Sequence, residues 1–173
     1  PHFDRNVENT SGFHVTVEDA ERCPRMIGTQ IENVCVKPAP YWMQVRIWKT
    51  GMRPINALVD ITNYVMLATG QPSHAYDSDH IAGHIIVRRA KAGETLTLLN
   101  GKELPLSTDD LTIADDADIV GLAGVMGGAK DSILPTTSKV ILEIANFQAA
   151  GIRRTALRYD NRTEASARYE KAI

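Results

Sequence analysis

A chain of 173 residues with 43% hydrophobic and 23% charged residues is long enough to enclose its own core and is ordinary in composition for a soluble globular domain. The formal net charge of -2 excludes a surface that is basic throughout, so contact with nucleic acid has to rest on a local patch. No run approaches the ~18 apolar residues of a membrane helix, and no signal peptide is evident.

Cys23 and Cys35 are too far apart for a Cys-x-x-Cys motif and lack histidines at zinc-finger spacing. They read as free, buried thiols in a reducing cytosol. The chain begins at Pro1 without an initiator methionine and stops within an expected helix, Glu164 to Ala172, which reads as a piece of a longer protein.

Residues 1–12 are polar and poorly patterned, which suggests a linker; the folded domain is expected over 13–173. Phe13 to Val17 alternates like a strand, and Glu18 to Glu21 suggests a short helical turn ended by Pro24. Met26 to Val36 reads as one long strand bulged at Gly28. After Lys37-Pro38-Ala39-Pro40, Tyr41 to Lys49 has helical spacing with Trp42, Val45 and either Ile47 or Trp48 turned to a core.

Asn56 to Asp77 is the most informative stretch. It predicts a helix closed by a left-handed Gly70 and stopped by Pro72, with Ser73, His74 and Asp77 held in the turn beyond. Val59, Ile61, Val65 and Ala68 supply an apolar stripe, and Asn56, Asp60 and Asn63 a polar face that suits the wall of a site.

The second half is rich in strand patterns. Ile85 to Arg89 is a strand, and Thr95–Leu99 and Leu104–Leu106 flank the Asn100-Gly101 signature of a tight hairpin. Leu111–Ala114 and Ile119–Ala123 form another hairpin, and Lys139–Ala145 is the last strand. Gln148–Tyr159 and Thr163–Ala172 are helices, with Asn161 and Glu164 resembling a capping pair. The fold class expected is α+β, with a mixed or antiparallel sheet or sandwich at the centre and helices outside it.

Several features bear on chemistry. The tract Gly121 to Gly128 lacks the endings of a P-loop or a dinucleotide fold, yet Gly127 and Gly128 would let backbone N–H groups approach a ligand. A crowded strand-to-loop turn explains them equally well. Glu143 interrupts an apolar strand and either faces solvent or lines a pocket, where it needs a donor. His74, His80 and His84 do not have a recognised zinc spacing, so no metal is expected. No nucleophile motif appears, which favours hydrolysis by a positioned water over a covalent intermediate if the domain hydrolyses anything. Arg153, Arg154, Arg158, Arg162, Arg168 and Lys171 form a local basic excess, suited either to an RNA backbone or to a solvated helical surface.

The strings Arg53–Met66, Gly70-Gln71-Pro72-Ser73-His74-Ala75-Tyr76-Asp77, Gly124–Gly128, Val140–Glu143 and Arg162–Lys171 occur in this order, with Cys23-Pro24-Arg25 ahead of them. Together they resemble the B3/B4 domain of bacterial phenylalanyl-tRNA synthetase β subunits. The resemblance implies an editing domain that hydrolyses tyrosyl-tRNA(Phe), the product of a mistaken charging. It implies that Glu143 accepts the tyrosine hydroxyl and that His74 and Asn63 lie near the ester and the attacking water. Gly127 and Gly128 would wall the tyrosyl group, and Thr163 and Ala165 would complete the pocket.

The implied partners are the acceptor end of tRNA(Phe), the rest of the β subunit and the α subunit of an α2β2 enzyme. The implied location is the cytoplasm. ATP and magnesium would serve the parent enzyme, with no cofactor in this domain. Two alternatives stand beside this reading: a catalytically silent structural or tRNA-docking module, and a stand-alone relative that binds another aminoacyl ester.

The chain departs from the family pattern at three points. Tyr76 stands where phenylalanine is usual, Tyr159-Asp160-Asn161 replaces a His-Gly beside Thr163, and Lys171-Ala172 replaces a Lys/Arg-Gly ending.

Overall fold

Residues 12–171 are described by the structure, a computed structural model. In chain order the elements are β1 (Val15–Val17), β2 (Arg25–Glu32), α1 (Tyr41–Lys49), α2 (Ala57–Thr69), β3 (Ser73–Asp77), a 3-10 turn (Ser78–His80), β4 (Ile85–Arg89), β5 (Thr95–Thr97), β6 (Glu103–Pro105), β7 (Leu111–Ala114), β8 (Ile119–Leu122), β9 (Met126–Gly127), β10 (Lys139–Asn146), α3 (Ala149–Arg158) and α4 (Glu164–Tyr169). A five-stranded sheet runs β1-β4-β7-β8-β9, a three-stranded sheet β2-β10-β3, and β5-β6 form a separate hairpin. Only β1 with β4 pairs in parallel among the described ladders. The α+β class with mixed sheets is therefore the observed one. The expected linker at 1–12 lies, apart from Gly12, outside the described residues.

The two larger sheets meet face to face through one apolar core that includes Ile85, Val87, Ile113, Leu122 and Ile141. Period-2 alternation on β10 turns Ile141, Glu143 and Ala145 inward and leaves Ile144 and Asn146 exposed. On β2, Gly28 stands opposite Glu143 in an unbroken register, so the expected bulge is absent. A Cβ at Gly28 would come within 2.7 Å of Val15 Cγ2 and 2.8 Å of Phe13 Cε1. Glycine is there because the facing sheet crosses at that point. β2 also ends earlier than the expected Val36: its last residue is Glu32, and Asn33 follows with a φ of 58°.

α1 and α2 build a smaller apolar cluster from Ala39, Met43, Ile47 and Ala57, with Met52 and Tyr64 against it. Trp42, expected inward, is 51% exposed; of the two alternatives, Ile47 is buried with Met43 and Trp48 is 69% exposed. Ile61 and Val65 of the expected α2 stripe are also exposed. Two apolar stripes share α1, and the one that meets α2 is the one buried.

α2 starts as its sequence dictates. The Asn56 side chain accepts hydrogen bonds from the N–H groups of Leu58 and Val59, and Gly70 closes the helix at φ 82°. The buried Asp60 accepts from the Ile55 N–H at 2.8 Å. Asn56 and Asp60 therefore hold the helix start and do not line a site. The segment after Gly70 is strand β3 and not the expected turn, a difference that decides how the site is built.

Candidate active site

β3 is an edge strand paired with β10, and its register places His74 directly opposite Glu143. Alternation puts Tyr76 on the same face as His74. The two rings meet edge to face, with centroids 4.5 Å apart and planes at 69°. Tyr76 donates its hydroxyl hydrogen to Glu143 Oε2 at 2.5 Å. The carboxylate is inside: Glu143 is only 6% exposed. The pocket alternative for this glutamate is the one realised.

These side chains form one wall of a pocket of about 70 Å³. The opposite wall is the hairpin of β8 and β9, from Gly121 to Gly127, and the end is closed by Phe147 with Ala165 and Tyr169 of α4. Gly124, at φ 67°, lets the hairpin turn pass beneath the helices; a Cβ there would sit 2.8 Å from Ile152 Cδ1 and 3.1 Å from both Phe147 and Tyr169.

Gly127 lines the pocket, and its bare Cα has a specific partner. A Cβ at Gly127 would lie 2.5 Å from His74 Nε2, so the missing side chain makes room for the histidine ring. Gly128 is not among the lining residues: it bridges to Leu98, and a Cβ there would meet Val120 O at 2.8 Å. The crowded-turn reading explains Gly128.

The remaining candidates divide in the same way. Ala165 lines the pocket. Thr163 does not, but it caps α4: its side chain accepts from the Ser166 N–H and donates to Val125 O at 2.8 Å, tying the helix to the hairpin wall. The cap is thus Thr163 with Ser166, and the expected pair of Asn161 with Glu164 is not used. Asn63 lies on α2, half-buried, and is not among the lining residues. Cys23 is buried, whereas Cys35, expected to be buried, is exposed.

The departure at Tyr159 has an evident role. Its hydroxyl donates to the buried Asp110 and accepts from the Ser107 N–H. Thr155 and Arg158 of α3 donate to the same carboxylate. Much of the basic excess is paired as well: Arg154 and Arg158 with Asp109, Arg162 with Glu170, and Arg168 with Glu164. The helical-surface reading accounts for these arginines.

Burial sets the electrostatics. It raises the Glu143 carboxyl to a pKa of about 7, and the Tyr76 hydrogen bond works in the opposite direction. Burial lowers His74 to about 4, leaving a neutral imidazole at pH 7, although the residue as a whole keeps some exposure. Neither ring nitrogen of His74 has a hydrogen-bond partner among the described residues, so both are available to a water or a ligand. No group of three or more His, Cys, Asp or Glu among the described residues could hold a metal ion. No helix among them is long and apolar enough to cross a membrane.

Phe147, Tyr169 and the Tyr76 hydroxyl bond were not singled out from sequence. Tyr76 carried a usable signal: once 73–77 is read as a strand, its two-residue spacing from His74 places both on one face.

The sequence model of the B3/4 domain matches residues 22–173. The phenylalanine–tRNA ligase β subunit of Lactobacillus acidophilus is 48% identical over 165 residues, covering 95% of this chain and 20% of that protein. The β subunit of Solibacter usitatus is 46% identical over 166 residues, covering 95% and 22%. The chain thus spans about a fifth of the length of the curated relatives it matches. An N-terminal fragment of the phenylalanyl-tRNA synthetase β subunit from Pyrococcus horikoshii has a similar fold, with a TM-score of 0.54 at 13% identity over 91% of this chain and 51% of that one. With the family model matched over residues 22–173 and relatives at 46–48% identity over 95% of its length, the chain belongs to the B3/4 domain family.

Proposed function

We propose that the pocket is the editing site of a phenylalanyl-tRNA synthetase β subunit, where the ester of tyrosine mistakenly attached to tRNA(Phe) is hydrolysed. The observation that carries this reading is Glu143: a carboxylate buried in a mostly apolar, glycine-walled pocket, one oxygen of which takes no hydrogen bond among the described residues. Such a group costs stability wherever it serves only packing. As an acceptor for a phenol it separates tyrosine from phenylalanine, because the second substrate leaves a buried polar group unpaired.

In this mechanism the aromatic ring lies between the Gly121–Gly127 backbone and the aromatic end wall, and the ester stays near His74. A neutral imidazole with a pKa near 4 has too little proton affinity to act as an efficient base at pH 7. His74 therefore orients the attacking water by hydrogen bonding, and Thr163 acts by holding the hairpin wall. Met126, unbranched and half-buried on that wall, supplies the give that a full phenol ring requires. The tRNA(Phe) acceptor end, the remainder of the β subunit and an α subunit are the partners in this reading, in the cytoplasm.

A second reading, a catalytically silent module, is favoured by one observation. The pocket measures about 70 Å³, half the ~150 Å³ of a cavity that takes up benzene. The two readings part on Ala165→Trp, assayed in the synthetase assembled from full-length subunits. Filling the pocket is expected to cut deacylation of tyrosyl-tRNA(Phe) at least tenfold; unchanged deacylation would support the silent module.

A further inference from the structure

We propose that Tyr76 is a positioning residue for substrate choice: its hydroxyl holds Glu143 Oε2 so that Oε1 is presented to the tyrosyl phenol in the pocket. The inference rests on the editing reading above and deepens it.

Tyr76 is itself held in place by burial, by the His74 ring and by its bond to Glu143. Its hydroxyl lies 3.5 Å from where a Cβ of Gly121 would stand. A carboxylate offers acceptor sites on both oxygens, and Tyr76 uses one of them. Glu143 lines the pocket, and Oε1 accepts no hydrogen bond among the described residues. The hydroxyl therefore fixes the carboxylate without filling it.

The same bond keeps the acceptor in its accepting form. Tyr76 is the one described group whose contact favours ionised Glu143, against the burial that favours the proton. The other titratable groups around it offer no positive charge at neutral pH. Cys23 is pushed up to about 11, Tyr169 is pushed up, and His74 is pulled down to about 4. Asp131, beyond Tyr76, adds negative charge when ionised. Without the hydroxyl, Glu143 would hold its proton to higher pH and be free to rotate.

The test is Tyr76→Phe in the synthetase assembled from full-length subunits, with deacylation of tyrosyl-tRNA(Phe) followed from pH 6 to 9. Phenylalanine keeps the ring against His74, and a thermal melt reports whether the fold is retained. The expected result is a KM about tenfold higher at pH 7 with kcat little changed, an acid limb of kcat/KM moved to higher pH, and partial recovery at pH 9. A wild-type KM and pH profile would overturn the proposal. So would a lower KM, which would show the hydroxyl competing with the substrate.

Glu143→Gln probes the same point without altering Tyr76. The hydroxyl holds the amide oxygen and turns the NH2 group to the pocket, so KM should rise at every pH and the acid limb should flatten; a wild-type KM would count against the proposal. Glu143→Ala separates the two levels. Deacylation at the wild-type rate by that variant would remove the editing reading and this inference with it. Impaired Glu143→Ala beside a wild-type-like Tyr76→Phe would remove only the role of Tyr76.

Discussion

Replacing Asp110 with alanine is expected to cost the chain about 3–5 kcal/mol and to lower its unfolding midpoint by about 10–15 °C. Asp110 is fully buried in the turn before β7. Its carboxylate accepts from the Thr155 hydroxyl at 3.0 Å, the Ser107 N–H at 2.9 Å, the Arg158 guanidinium and the Tyr159 hydroxyl. Removing one acceptor strands several donors at once, one of them charged, which is the situation in which truncating a buried pair is most costly. The consequence reaches the pocket: Asp110 ties α3 to the five-stranded sheet, and α3 leads into α4 with Ala165 and Tyr169. Urea or thermal unfolding measures the effect, and a loss below about 1 kcal/mol would show that the hub is not coupled to the fold as described.

Glu143→Gln is expected to do the reverse and stabilise the chain, but only at higher pH. An unfolded chain ionises this carboxyl near 4.5, whereas the folded site holds the proton up to about 7. The folded state therefore binds more protons through that window, and stability falls as pH rises across it. At about 1.4 kcal/mol per pH unit, the penalty above pH 7 is about 3 kcal/mol. Glutamine removes the charge and keeps an oxygen for the Tyr76 hydroxyl. Its melting temperature should exceed the wild type's by about 5–10 °C at pH 8, with the gain disappearing by pH 4. Equal melting temperatures at both pH values would show that Glu143 carries no burial penalty. A stabilising change at a buried charge is the expected sign of a group kept for function.

What was legible in the sequence was local. Gly70 and Pro72 close α2 because capping chemistry is written in the residues themselves, and Asn100-Gly101 does the same for the β5–β6 hairpin, whereas Asn56, read as part of a polar face, caps the helix start. Glu143 was conspicuous because alternation alone placed it opposite two apolar neighbours. The failures were tertiary. Ser-His-Ala-Tyr-Asp has no β-branched residue, so β3 exists mainly through its pairing with β10. The Tyr76–Glu143 bond joins residues 67 positions apart. Asn63 and His74 sit in one contiguous stretch, yet of the two only His74 is among the pocket-lining residues. Gly127 and Gly128 are adjacent, and opposite faces of the strand give one to the histidine and the other to Val120.

In the proposed editing reaction Glu143 selects tyrosine by accepting its hydroxyl. The rates at which the full-length synthetase deacylates tyrosyl-tRNA(Phe) and phenylalanyl-tRNA(Phe), with and without Glu143→Ala, decide whether it does. A hydrogen bond to a charged acceptor is worth about 1.5–3 kcal/mol, so the preference for the tyrosyl ester should fall about 10- to 100-fold in the variant, through loss of the tyrosyl rate. An unchanged ratio of the two rates would contradict the account.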